Sequence, residues 1–349
     1  MKTLRWVGGM SLLLTLVLVA PGYGASRPVT AMVSGQAYRA QRDLRSLTLW
    51  LDWYPNSDHV GIYVAMAKGY YARQGLAVQA RVPSGAADAL KLVAHGTGDI
   101  AISYEPNVLL SRAQGVPVVA TAAIVQRPLN CVMALRSSDI TRPRQLQGKT
   151  VGIAGLPSDY TDIAAIVRAD GGNPRLVKTV VVNYGLLQAL LKKRVDAVEG
   201  VYWTWEVLQA RQPTAGHPHG YQVNVMHLEH YGVPVYDELV FATATRQLQR
   251  EAATLRAFQR ATFEGYAYAT AHPAEATRIL LKVRGVLSSS RSLIEQSIRL
   301  LSPLFHDRQG RYGTMSVAQW QAYADWMTRT HLMTTHVDAR SAMTTALLP

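Results

Sequence analysis

Hydrophobic positions along the chain fall into short apolar runs that alternate with helix-length amphipathic stretches. Residues 47–51 (Leu-Thr-Leu-Trp-Leu) form a run of strand length that breaks into Asp52-Trp53-Tyr54-Pro55-Asn56, an aromatic and polar turn. A helical face follows at Val60, Tyr63, Val64, Ala67 and Tyr71, with Gly75 as its stop. Strand-like runs recur at 78–82, 99–103 and 116–125, separated by helical stretches at 87–94 and 107–114. The alternation restarts after Pro143, with strands expected at 150–154, 177–182 and 197–201 and helices at 160–169 and 184–193. Residues 238–243 read as a strand returning to the first sheet, and the pattern from Arg246 onward is almost wholly helical. This alternation predicts α/β architecture: mostly parallel sheets covered by helices, arranged as two lobes with a cleft between them and a helical C-terminal tail.

The expected crossings between lobes lie near residues 130–140 and 232–238, giving a first lobe of 47–134 plus 236–349 and a second of 135–235. Residues 25–46 lack apolar periodicity and read as a flexible linker. Ahead of them, Lys2 and Arg5, an apolar run at 10–20 and small residues at 22–25 read as a signal peptide over 1–24, either cleaved or kept as an anchor. The sole cysteine, Cys131, is too far downstream to take a lipid near that cleavage site and cannot form an internal disulfide; its apolar surroundings make it a small buried filler. The expected location is therefore the periplasm. With 349 residues, 48% hydrophobic and 17% charged, the chain can build two medium domains with real cores. The net charge is +13, or +11 without Lys2 and Arg5. The basic residues are scattered, with no nucleic-acid module, so no nucleic-acid partner is expected and the chain is read as a monomer.

Candidate chemistry concentrates at strand-to-helix junctions, where α/β proteins hold small ligands. Asp52, Trp53, Asn56 and His59 crowd one such junction, with Asp58 as the expected N-cap of the next helix. Tyr104 and Glu105 follow the run 99–103. Glu199, Tyr202, Trp203, Trp205 and Glu206 form a second aromatic and acidic cluster. A flat heteroaromatic ligand needs rings on both faces, which Trp53 and Tyr202, Trp203 or Trp205 would supply. An aminopyrimidine also presents an amine and a ring nitrogen to a carboxylate, the candidates being Asp52, Glu105, Glu199 and Glu206. Core aromatics, helix caps and solvated acids are the competing explanations. Ser84-Gly85 and Pro157-Ser158 each precede a helix whose free amides would attract an anion or carbonyl oxygen, or would simply be capped. His227-Leu228-Glu229-His230 reads as a strand-end group rather than a metal site, and His217 and His219 as solvated. No Walker A loop, dinucleotide fingerprint or His-Glu-x-x-His helix occurs, and no cofactor or catalytic residue is assigned.

Asp52-Trp53-Tyr54-Pro55-Asn56-Ser57-Asp58-His59, with Gly61-Ile62-Tyr63 and Ala67-Lys68-Gly69-Tyr70-Tyr71, resembles the periplasmic solute-binding proteins of the thiamine-pyrimidine (ThiY-like) type, with riboflavin- and sulfonate-binding relatives. The likeness continues through Ser84-Gly85 to Gly98-Asp99-Ile100-Ala101, Leu146 to Gly152, Asp196 to Glu206 and Tyr231 to Val240, and spans about residues 47–330. It implies a hinged, type II periplasmic-binding-protein fold. It also implies capture of a small heteroaromatic ligand, a thiamine-related pyrimidine, for an ABC importer whose permease and ATPase sit at the inner membrane. The alternatives it leaves are riboflavin, an alkyl sulfonate, or a pyrimidine-processing enzyme of the same fold. The fungal pyrimidine synthase of this fold uses pyridoxal phosphate. Its lysine and histidine would fall near Ser103 and Asn107, and its cysteine-rich motif has no counterpart, which counts against that chemistry here.

Overall fold

The computed structural model describes residues 44–348 apart from 285, 287 and 288. The expected signal peptide and most of the expected linker lie outside the described residues. The last two linker positions do not behave as linker: Arg45 and Ser46 begin strand β1 (Arg45–Trp50) and pair in parallel with Leu76 and Ala77 of β2 (Leu76–Arg81). An exposed outer face conceals that strand start from a hydrophobicity pattern.

Two five-stranded mixed sheets carry the fold. The first has the order β2-β1-β3-β10-β4, with β3 at Ile100–Ser103, β4 at Val118–Val125 and β10 at Leu239–Ala244. The second has the order β7-β6-β8-β5-β9, with β5 at Asn130–Leu135, β6 at Thr150–Ile153, β7 at Lys178–Val181, β8 at Ala197–Tyr202 and β9 at Val223–His227. In each sheet three parallel strands meet one antiparallel strand that arrives from the other half of the chain: β10 in the first, β5 in the second. Strand β5 therefore belongs to the second sheet, and the chain crosses at residues 126–129, ahead of the expected boundary after 134. The reason is local. Residues 130–135 are buried throughout, so no change of pattern marks the crossing.

Apolar burial explains the parallel strands. Leu47, Leu49 and Leu51 are inaccessible, as are Val151 and Ile153 at the equivalent place in the second sheet. Cys131 is likewise buried, its thiol donating to the Val201 carbonyl at 3.2 Å. The helical tail begins with Thr245–Ala271, bent at Glu251, and includes Val317–Arg329. Trp320 of the latter helix donates to Asp237 at 2.8 Å, and Gln319 donates to Glu105 at 3.0 Å, so the tail braces the return crossing into β10.

The long helix Thr245–Ala271 also fixes the helix Val60–Ala67 that follows the aromatic turn. The two touch through Gly61 and Gly265: a Cβ on Gly265 would collide with the Gly61 carbonyl, and one on Gly61 with the Tyr266 ring. Next to this contact the Tyr266 hydroxyl donates to the Asp58 carbonyl at 2.6 Å, anchoring the turn itself. Gly265→Ala should force the helices apart and lower unfolding free energy by about 1–3 kcal/mol, or more where the backbone cannot yield. Urea denaturation measures this; an unchanged midpoint would show that the pair is not close-packed.

Candidate functional site

The ends of the parallel strands in both sheets converge on one cleft. Trp53 comes from the turn after β1, Tyr104 from the residue after β3, Ala154 and Leu156 from the loop after β6, and Gly200 and Tyr202 from β8. The helix Pro157–Ala169 adds Ser158, Asp159 and Asp162, the crossings add Asn130, Tyr236 and Glu238, and Asn56, Pro106 and Glu206 complete the wall. Aromatic rings thus face the cleft from both halves. Among the described residues, four carboxyl side chains line it, Asp159, Asp162, Glu206 and Glu238, and no lysine, arginine or histidine does.

Each acid is held by backbone or amide donors rather than by a cation. Glu238 Oε2 accepts from the Leu129 amide at 2.6 Å, the Asn130 amide at 3.0 Å and the Tyr236 hydroxyl at 3.1 Å. Glu206 Oε2 accepts from the Tyr202 amide at 2.9 Å. Asp159 Oδ2 takes the Gly155 and Leu156 amides at 2.7 and 2.8 Å. Asn130 donates to Glu199 at 2.7 Å and to Asp162 at 3.3 Å, while its own carbonyl accepts from Gly200 at 3.1 Å. Burial disfavours the charged forms and raises Asp159, Glu206 and Glu238 to about 7. Asp162 and Glu199 go well up by burial and by the charge of neighbouring Asp159. The Tyr202 hydroxyl, buried beside Glu238, forms no hydrogen bond.

The expected site residues divide into three groups. Trp53, Asn56, Tyr104, Ser158, Tyr202 and Glu206 line the cleft. Asp52, His59 and Glu199 lie behind the wall as supports. His59 accepts from the Asn56 amide at 3.3 Å through Nδ1, so Nε2 carries the proton and donates to Asp52 Oδ1 at 2.8 Å. The Tyr104 hydroxyl donates to Asp52 Oδ2 at 3.2 Å. Asp52 thereby orients a cleft tyrosine. Asn56, not Asp58, caps this turn, accepting from the Asp58 amide at 2.8 Å. The Asp58 carboxyl is buried without a partner and is shifted well up by that burial.

The third group points elsewhere. Glu105 is fully buried under the return crossing, accepting from the Asp237 amide at 2.8 Å. Trp203 donates to the Pro128 carbonyl at 3.2 Å and packs at the crossing. Trp205 lines an adjoining outer hollow with Tyr54, Pro55 and Tyr184, which shares Trp53 and Glu206 with the cleft. Ser84 and Gly85 are not among the lining residues of the cleft, the Ser84 carbonyl instead accepting from Asn183 at 3.4 Å, and Pro157 borders a neighbouring cavity together with Asn107. The amides around Ser158 have partners within the chain, as the capping alternative expects: that of Ser158 donates to Asn107 at 3.3 Å, and Asp159 takes those of Gly155 and Leu156.

Sequence reasoning missed Asp159, Asp162, Asn130 and Glu238. Asp159 and Asp162 stand three apart on one helix, a spacing that places them on one face, and that was the available signal. Asn130 and Glu238 carry no local signal, because the two crossings meet only in space.

Residues 56–276 match the NMT1/THI5-like family. The formylaminopyrimidine-binding protein of Halalkalibacterium halodurans is 33% identical over 286 residues, 81% of this chain and 85% of that one. The 4-amino-5-hydroxymethyl-2-methylpyrimidine phosphate synthase THI11 of Saccharomyces cerevisiae is 22% identical, with 80% of each chain covered. Among solved structures, the alkanesulfonate-binding protein SsuA from Xanthomonas axonopodis pv. citri superposes with a TM-score of 0.67 at 12% identity, covering 86% of this chain and 98% of that one, which shows a periplasmic-binding-protein fold. Sequence and fold together establish that the chain belongs to the NMT1/THI5-like family.

Proposed function

We propose that this protein is the exported solute-binding component of an ABC importer and captures a thiamine-related aminopyrimidine without changing it chemically. The observation that carries the reading is the cleft lining: aromatic rings from both sheets around four carboxyl groups, with no cationic side chain. Such a lining suits a flat ring rich in hydrogen-bond donors, whose amine and protonated ring nitrogen can each pair with a carboxylate. It disfavours a sulfonate, which would place negative charge against buried acids. The 33% identity to a protein named for formylaminopyrimidine binding supports the same ligand class. The non-enzymatic part of the reading is supported by Asn107, which is engaged with Ser158 at 2.8 Å, and by a lining without lysine, histidine or cysteine.

In this reading the parts built on the first sheet (44–125 and 239–348) and on the second (130–227) close on the ligand by rotation about the two crossings, and a permease and ATPase receive the closed form. The N-terminal segment would direct export to the periplasm.

Isothermal titration should show binding of formylaminopyrimidine and none of taurine; the reverse preference would sink the assignment. Trp53→Ala and Tyr202→Ala should each cost roughly 2 kcal/mol, some thirtyfold in Kd, through lost ring contact. Trp203→Phe, away from the cleft, should leave Kd within about twofold.

The acids also set a pH dependence. Asp159, Glu206 and Glu238 ionise near 7 in the folded protein, above their ordinary range, so in that window the folded state binds more protons than the unfolded chain. Stability should therefore fall as pH rises from about 5 to about 8. Calorimetry of the ligand-free protein should find Tm declining across that interval, and Glu206→Gln, neutral throughout, should flatten the decline. A Tm that rises with pH and is indifferent to the substitution would contradict the buried-acid account.

A further inference from the structure

At the mouth of the cleft, one short segment of the second half reaches across to the first. Tyr184 inserts its ring between Trp53 and Tyr54, with centroids 4.8 and 4.7 Å away, and its hydroxyl donates to the Pro83 carbonyl at 3.0 Å. The preceding residue, Asn183, accepts from the Ala86 amide at 3.0 Å and donates to the Ser84 carbonyl at 3.4 Å. Asn183 also has a left-handed backbone, with φ of +52°, an uncommon state for a residue other than glycine. Five contacts thus join residues 53–54 and 83–86 to a two-residue tip whose backbone is bent to present it.

From this convergence we infer that Asn183 and Tyr184 form a latch that holds the two halves closed and fixes the Trp53 indole against the ligand, so that the latch sets residence time. The inference rests on the cleft being the ligand site. Trp53 is the common element: its ring lines the cleft and packs edge-on to Tyr184. Opening requires Tyr184 to leave its slot, breaking two aromatic contacts and exposing the Ala86 amide. Capture meets the latch open, so the on-rate is nearly independent of it, whereas release must break it. Tyr184 is accordingly a positioning residue, acting on the ligand through Trp53.

The test separates the latch from the identity of the ligand. Spin labels at Ala72→Cys and Lys178→Cys, both exposed and on opposite halves, report the distance between halves; the native Cys131 is buried and stays unlabelled. Tyr184→Ala and Asn183→Gly should each add a longer-distance population, the latter while relieving the left-handed backbone. With formylaminopyrimidine as probe, Tyr184→Ala should accelerate dissociation by about tenfold or more with association within about twofold, and Tyr184→Phe should have a smaller effect. Wild-type distance distributions in both variants would overturn the latch, as would a wild-type dissociation rate in Tyr184→Ala. If the unmodified protein does not take up formylaminopyrimidine, the proposed ligand fails, and the distance measurement still decides the latch.

Discussion

The two halves of this protein are joined by chain segments that run in opposite directions, and one carboxylate oxygen ties those segments together. Glu238, at the end of the return crossing, accepts from the Leu129 and Asn130 amides of the outgoing crossing and from Tyr236 of its own. All of these groups are buried, where a donor left without a partner costs about 1–3 kcal/mol. The oxygen therefore holds the crossings at fixed separation. Behind it, Asp237 receives Trp320 and Glu105 receives Gln319, so the C-terminal helix Val317–Arg329 stiffens the same point. Glu238 also lines the cleft, so one group serves both the tie between the crossings and the cleft wall.

Around that tie the polar residues differ in how far their hydrogen bonds are met. In the cleft the Tyr202 hydroxyl has no partner among the described residues, and burial raises Glu206 and Glu238 to about 7. Behind the wall, Asp52 and His59 are committed, linking the Asn56 amide to the Tyr104 hydroxyl, whereas the Asp58 carboxyl and Glu199 Oε2 have no partner among the described residues. Committed groups hold the open ones in place, and the open ones are where a ligand with donors at its edge gains most. The latch at Asn183 and Tyr184 adds the mouth to this scheme, coupling closure to the orientation of Trp53.

The same architecture accommodates an alkanesulfonate-binding protein at 12% identity. The fold therefore carries no ligand preference of its own; the lining decides it. Here the helix start that could have met an anion is filled by Asp159 from within. One acid in the first turn of a helix turns a site for negative charge into a site that repels it.

The sequence by itself determined the elements and their rhythm. The apolar runs that became β3, β4, β6, β8 and β10 are continuous because those strands are covered on both faces, and the aromatic turn at 52–56 was legible because a strand that stops at polar and aromatic residues leaves a junction. Trp53, Asn56, Ser158, Tyr202 and Glu206 were found this way. Trp203 and Trp205 follow Tyr202 in sequence, yet Trp203 turns to the Pro128 crossing and Trp205 to the outer hollow. Strand β5 was invisible as a boundary because burial continues through it, and Asn130 and Glu238 became neighbours only when the crossings met. Charge shows the same limit. The chain sums to +13, and its cleft is lined by four acids and no base. Periodicity reports which face of an element is covered. Which covered or half-covered groups face a common space depends on how distant segments pack, and that information exists only in three dimensions.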